Sequence, residues 1–335
     1  MLVLNRHSSK QQEISNSRMI MRKKILLIII SIFLVGMVLS GCSKNKKKAE
    51  ERINIVVTRF PEYDFSRAIV ADKMNVQMLT PPGSSTHSFD PSPSDIIKVQ
   101  KADIFIYVGG ESDIWVKNIL GSLDTTKMKI IRLMDYIDLL REEIKEGMQI
   151  DEEEEVEEED AYDEHIWTSP KNAMKLINII LEAICEKDPA NANMYKANAK
   201  KYQDELKVVD EQITNIVNNA KRKKIIIADK FPFLYFVKDY GLDYEAAFPG
   251  CSDQADAGAK TIAFLINAVK NENIPCIYYV ELSNKNVAAA ISEEAGVEMF
   301  LLNSCHNVSK TDFDNGVTYL LLMQQNVENL KKGLN

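Results

Sequence analysis

Histidine is scarce in this 335-residue chain, with only His7, His87, His165 and His306. Its five cysteines include no CxxC pair, which excludes a structural zinc module of the finger or ribbon kind. GxGxxG and Walker patterns are missing, which argues against a nucleotide. HExxH is missing too, and no nucleophile stands beside an identifiable base, which argues against hydrolytic chemistry. The main apolar run, Ile25 to about Leu39, has about 15 residues where a spanning helix needs roughly 20. A basic surface is also lacking. The formal net charge is −8, and the first 41 residues carry six Lys and Arg against one Glu, leaving −13 on the rest. Residues 142–164 hold 14 Asp and Glu against one Lys and account for all of that acidity, so no nucleic-acid partner is expected.

What is present begins with a leader. Arg22 to Lys24 give a basic start, the apolar run follows, and small residues lead to Cys42, the layout of a secretory signal. Leu39-Ser40-Gly41-Cys42 resembles the bacterial lipobox, which implies cleavage before Cys42, a lipid on its sulfur and an extracytoplasmic, membrane-anchored location. Residues 1–41 are thus read as signal peptide, and the polar, basic residues 42–52 as a tether with nothing to bury.

Beyond the tether, short β-branched runs recur at 53–59, 76–80, 102–110 and 129–133, and again at 223–229, 244–250, 276–281 and 298–303, with helical stretches between. Strands alternating with helices predict an α/β fold of two lobes, each a four-stranded parallel sheet flanked by helices. The lobes are expected over 53–187 and 223–335. Between them, 188–222 has no glycine and no proline after Pro189, so one long rigid linking helix is predicted.

His87 and His165 share a local design. Each precedes a Ser-Pro pair, Ser92-Pro93 and Ser169-Pro170, in which serine caps a helix and proline opens it. Ligands of open α/β sheets gather beyond the carboxyl ends of strands. His87, Asp229, Glu281 and the Asn303–His306 segment all fall there, so the three histidines outside the leader converge on one predicted inter-lobe cleft. Imidazole with carboxylate is the ligand set of zinc, and of manganese when oxygen predominates. The Gly109-Gly110 turn is read as lining the same cleft. A disulfide between Cys251 and Cys305, both in loops after predicted strands, is the expected pairing, with buried free thiols as the alternative.

"HSFDPSPSDI" and "DEHIWTSPKNA" resemble, in order and spacing, the two histidine segments of the zinc and manganese substrate-binding lipoproteins of ABC transporters. The resemblance covers nearly all of residues 53–335. It implies a two-lobed monomer with a rigid linking helix that holds Zn2+, or alternatively Mn2+, between its lobes by one ligand from each of four loops, and that delivers the metal to a membrane permease. His87 and His165 match the first two ligands. The third falls at Asp229 or Lys230, and since a protonated lysine cannot ligate, Asp229 is expected. For the fourth, Asn303 is the nearest equivalent and His306 the better donor; Glu281 is a reserve ligand or a partner that orients a histidine. The acidic run stands where some relatives carry a mobile histidine-rich loop, and its charge would concentrate divalent ions beside the cleft, although a solvated disordered segment is the plainer reading. The other functions weighed were a metal-dependent surface hydrolase and an adhesin-like structural lipoprotein.

Overall fold

In the computed structural model the described residues are Ser17, Met19, Met21–Lys24, 52–85, 88–150, 161–250, Ser252 and 256–335. The chain divides into a unit over Met1–Glu51 and a unit over Arg52–Asn335. In the first, Ser17, Met19 and Met21–Lys24 are helical; the lipobox, Cys42 and nearly all of the tether lie outside the described residues. Among the described residues no helix is long and apolar enough to cross a membrane.

The second unit holds two sheets of the same plan. Strands β1 (Asn54–Val57), β2 (Asn75–Met78), β3 (Ile104–Tyr107) and β4 (Lys129–Arg132) are ordered β2-β1-β3-β4 and pair in parallel throughout. Strands β5 (Lys224–Lys230), β6 (Asp243–Phe248), β7 (Cys276–Tyr279) and β8 (Glu298–Leu301) repeat that order as β6-β5-β7-β8, again parallel. Five of the eight lie within the β-branched runs, and β2, β5 and β6 overrun theirs by one residue. Side chains alternate between faces as a strand requires. Ile55 and Val57, with Ile225 and Ile227, join one core shared by both sheets, whereas Val56 and Ile226 face separate clusters on the outer sides. In each sheet the order reverses beside its first strand, between β1 and β3 and between β5 and β7, and a crevice opens there at the carboxyl ends.

Helices α1 (Phe60–Val70), α2 (Pro93–Gln100) and α3 (Ile114–Ser122) flank the first sheet, and α4 (Pro170–Lys187) follows the His165 loop. Ser92 and Asp95 form a reciprocal capping box at the start of α2, and Ser169 Oγ accepts from Asn172 N at 3.2 Å at the start of α4. Both Ser-Pro pairs therefore open a serine-capped helix. Helix α5 (Ala192–Asn218) is continuous over 27 residues, about 40 Å, after a 3-10 turn at Pro189–Asn191. It is more buried than a bare strut. Tyr195, Ala199, Tyr202, Leu206, Val209, Ile213 and Val217 form one apolar stripe packed on α1, α4 and α10 (Tyr319–Leu334). Each of its larger aliphatic side chains contributes about 1.5–3 kcal/mol by burial. The remaining helices, α6 (Leu234–Tyr240), α7 (Ala259–Asn271), α8 (Asn286–Ala295) and α9 (Lys310–Asp314), belong to the second sheet's half.

The acidic segment departs from the solvated reading at both ends. Gln149 N donates to Ala247 O at 2.9 Å, Lys145 pairs with Asp243 at 2.6 Å, and Gly250 N donates to Glu142 Oε1 at 2.8 Å. Residues 142–150 thus cross from the first sheet's half and lie against β6. At the far end Arg141 and Tyr162 form an antiparallel bridge. Residues 151–160 are outside the described set.

Candidate metal centre

His165 is fully buried and held from two sides. Asp163 Oδ1 accepts from His165 N at 2.7 Å and faces its Nδ1 at 3.2 Å, while Thr168 N and Oγ1 both donate to His165 O. The carboxylate selects the tautomer with hydrogen on Nδ1, so Nε2 presents the lone pair a metal needs. Burial works against a charged ring, but the Asp163 carboxylate, its hydrogen bond and the nearby Glu164 outweigh it, and the pKa stands above the ordinary imidazole value. Gly250 makes room for the ring, since a Cβ there would come within 3.2 Å of His165 Cε1 and 2.9 Å of Phe231 O.

His306 reaches the same point from the other half, in the loop after β8. Cys305 takes φ +60, reversing the backbone immediately before it. The loop is organised around Glu281: Oε1 accepts from Ser304 Oγ at 2.6 Å and from His306 N at 2.9 Å, and Oε2 accepts from Ser304 N at 2.7 Å. Burial raises the Glu281 pKa, and these hydrogen bonds counter the rise. Both carboxylate oxygens are committed to shaping the loop that carries His306. Trp167 locks the halves together. Its Nε1 donates to Ser304 O at 2.8 Å, its carbonyl accepts from Tyr319 Oη at 2.6 Å, and its ring lies 5.1 Å from that of His306. The two imidazoles end with centroids 5.1 Å apart, at 88°.

Glu164 completes a cluster. One donor atom from each of Glu164, His165 and His306 can be chosen so that all lie within 4.8 Å of one another. Glu164 is held by Ser112, whose N donates to Oε2 at 3.1 Å and whose Oγ donates to Oε1, and by Arg59 Nη1 at 3.2 Å from Oε1. Ser112 follows the Gly109-Gly110 turn, and at Gly110 a Cβ would meet Glu164 Cβ at 2.8 Å. That turn therefore supports Glu164 from behind and is not part of the cavity wall. Beneath it Arg59 also faces Asp113 at 3.5 Å and packs 5.5 Å from the Trp167 ring centroid. Burial pushes Asp113 up against the pull of Arg59, and Glu62, in the same buried group, up to about 7.

A cavity of about 310 Å3 opens beside the cluster, lined by His165, His306, Asp229, Lys230, Ser85 and Gly250 among others. Asp229 stands at the end of β5 with Oδ1 accepting from Lys230 N at 2.8 Å; it lines the cavity but is not a member of the close cluster. Burial raises its pKa. His87 lies outside the described residues, although Gly83, Ser84 and Ser85 just before it line the cavity. Asn303 is not brought to the site. Its backbone N and Nδ2 donate to Asn326 Oδ1, and Asn326 Nδ2 returns a bond to Asn303 O at 2.7 Å, so its amide is spent on α10. Cys305 is a free thiol buried in the shared core with its Sγ towards Asn303 O, so the expected bond to Cys251 is not formed; Cys251 itself lies outside the described residues. The inward turn at φ +60 is what commits the sulfur to the core.

Sequence reasoning missed Glu164, Asp163 and Trp167. The signal available was their adjacency to His165, masked for the two carboxylates by the acidic run they end. Two imidazole nitrogens and one carboxylate oxygen, drawn from loops of two sheets, form a donor set suited to zinc.

The family model described as zinc-uptake complex component A, periplasmic, matches residues 55–333. The chain belongs to this family. It is 32% identical over 310 residues to the zinc-binding lipoprotein AdcA of Streptococcus pneumoniae serotype 4 (strain ATCC BAA-334 / TIGR4), covering 92% of this chain and 61% of AdcA. It is 30% identical over 312 residues to the high-affinity zinc uptake system protein ZnuA of Bacillus subtilis (strain 168), covering 92% of this chain and 97% of that protein. The Zn(II)-bound ZnuA-like domain of Streptococcus pneumoniae AdcA superposes with a TM-score of 0.70 at 30% identity, covering 84% of this chain and 99% of that domain. The chain thus spans about three fifths of the length of the streptococcal AdcA proteins and nearly all of the Bacillus relative.

Proposed function

We propose that this chain captures Zn2+ outside the cytoplasm and hands it to the permease of an ABC transporter, anchored to the membrane by a lipid on Cys42. The observation that carries the reading is the close approach of His165 and His306, side chains from loops of two different sheets, with Glu164 beside them. A metal there joins the halves of the molecule, as transient capture requires. His165, His306 and Glu164 are the proposed ligands in the described residues, with His87 a further ligand on the loop that Ser85 leads into. Asp229, across the cavity, is a ligand only if the metal sits deeper, and Mn2+ is the alternative cargo if oxygen donors come to predominate. The proposed organisation is signal 1–41, tether 42–52, lobes 53–187 and 223–335, and linking helix 188–222. Binding without catalysis is proposed, by a monomer. Elemental analysis of protein purified without chelator, with 65Zn uptake in cells lacking the gene, tests this. One zinc per chain and impaired uptake are expected; a metal-free protein and normal uptake would oppose the reading.

A further inference from the structure

Lys230 has no place in a site built only for a bare divalent cation. It lines the same cavity as His165 and His306, and among the described residues its ammonium forms no ion pair. None of the surrounding described carboxylates forms an ion pair with it: Glu281 holds Ser304 and His306 N, Glu164 lies against Ser112 and Arg59, and Asp229 Oδ1 accepts from the backbone N of Lys230. An unpaired cation repels an incoming metal ion, and in a partly enclosed site that repulsion amounts to about tenfold or more in affinity. The cavity is also large. At about 310 Å3 it offers roughly ten times the volume of a water molecule, far more than one ion with a single water needs.

We propose that the cleft takes its metal together with a small organic carboxylate, which adds an oxygen donor beside the protein ligands and sets its negative charge against Lys230. One carboxylate oxygen would ligate the metal and the other accept from the ammonium, a charge-assisted hydrogen bond of the strong kind. Asp229 lines the same cavity, and its carboxylate would accept from an amino or hydroxyl group on the same molecule. Amino acids and hydroxy acids have that pairing of groups; acetate has the carboxylate alone. This inference rests on the metal-binding reading and deepens it.

The test is a zinc titration of the full chain against a competing fluorescent chelator in a non-coordinating buffer, with affinity expressed against free zinc. It is run alone, with acetate, with glycine and with lactate. A parallel filter-binding arm uses the 14C-labelled acids. The expected result is zinc affinity about tenfold tighter with glycine or lactate, a smaller gain with acetate, and label retained only when zinc is present. Lys230→Met should bind zinc alone more tightly than the wild type, lose the gain and retain no label, whereas Lys230→Arg should keep both. Equal zinc affinity in all four conditions, with Lys230→Met unchanged, would overturn the proposal while leaving the metal site standing. Failure of the wild type to bind zinc in any condition would overturn the metal-site reading, and this inference with it.

Discussion

Replacing Glu281 by glutamine should weaken zinc binding even though Glu281 is not among the proposed ligands. Its two oxygens accept three hydrogen bonds, from Ser304 Oγ, Ser304 N and His306 N, and those donors set the course of the loop that carries His306. A glutamine keeps one acceptor oxygen and turns its amide group towards a donor. At least one backbone N–H is then left facing another N–H in a half-buried site, at a cost of about 1–3 kcal/mol. The loop can relieve that clash only by moving, and His306 N is one of the two backbone groups at stake. Losing an outer-shell partner of a metal ligand commonly lowers affinity by about 10–100-fold, and the same range is expected here. Chelator competition gives the affinity and circular dichroism checks the fold. Glu281→Gln added to His306→Ala should bring little further loss, because the carboxylate acts through that histidine. Unchanged affinity in Glu281→Gln, or full additivity with His306→Ala, would refute the reasoning.

Glu62 is buried with its pKa raised from 4.5 to about 7. A carboxyl whose folded pKa is raised carries no ionisation penalty below its unfolded pKa; the penalty grows from there up to the folded value and is level above it. Glu62→Gln should therefore gain on the wild type by up to about 3 kcal/mol between acidic pH and pH 8, measured by urea unfolding; a pH-independent difference would contradict this. Gly250→Ala should push the His165 ring or the Phe231 backbone aside by a few tenths of an ångström and weaken zinc binding with little loss of secondary structure. Affinity equal to the wild type would mean that the ring has slack at that wall.

The fold was legible because its signals are local. β-Branched runs between helical stretches mark eight strands, the Ser-Pro pairs mark two helix starts, and 188–222 lacks any residue that would break a helix after Pro189. Parallel order within each sheet follows from the alternation itself. The site was half legible. His165 and His306 stand out because histidine is rare, whereas Glu164 ends a run of acidic residues and looks like one more solvated charge until Arg59 and Ser112, 105 and 52 positions away in sequence, are folded against it. Asn303 and Asn326 are 23 residues apart and nothing local announces their mutual hydrogen bonds. The fate of Cys305 depends on one backbone angle, which residue type does not specify.

The central claim is that one metal ion is held between the two halves by His165 and His306. Zinc titration of the wild type, His165→Ala, His306→Ala and the double variant, by chelator competition at pH 7.5, tests it most directly. The account predicts one tight site in the wild type and losses of about two orders of magnitude or more in each single variant. It also predicts a double variant little worse than either single, because the two rings act on one ion. Wild-type affinity in both single variants, or a site lost through one histidine and indifferent to the other, would contradict it.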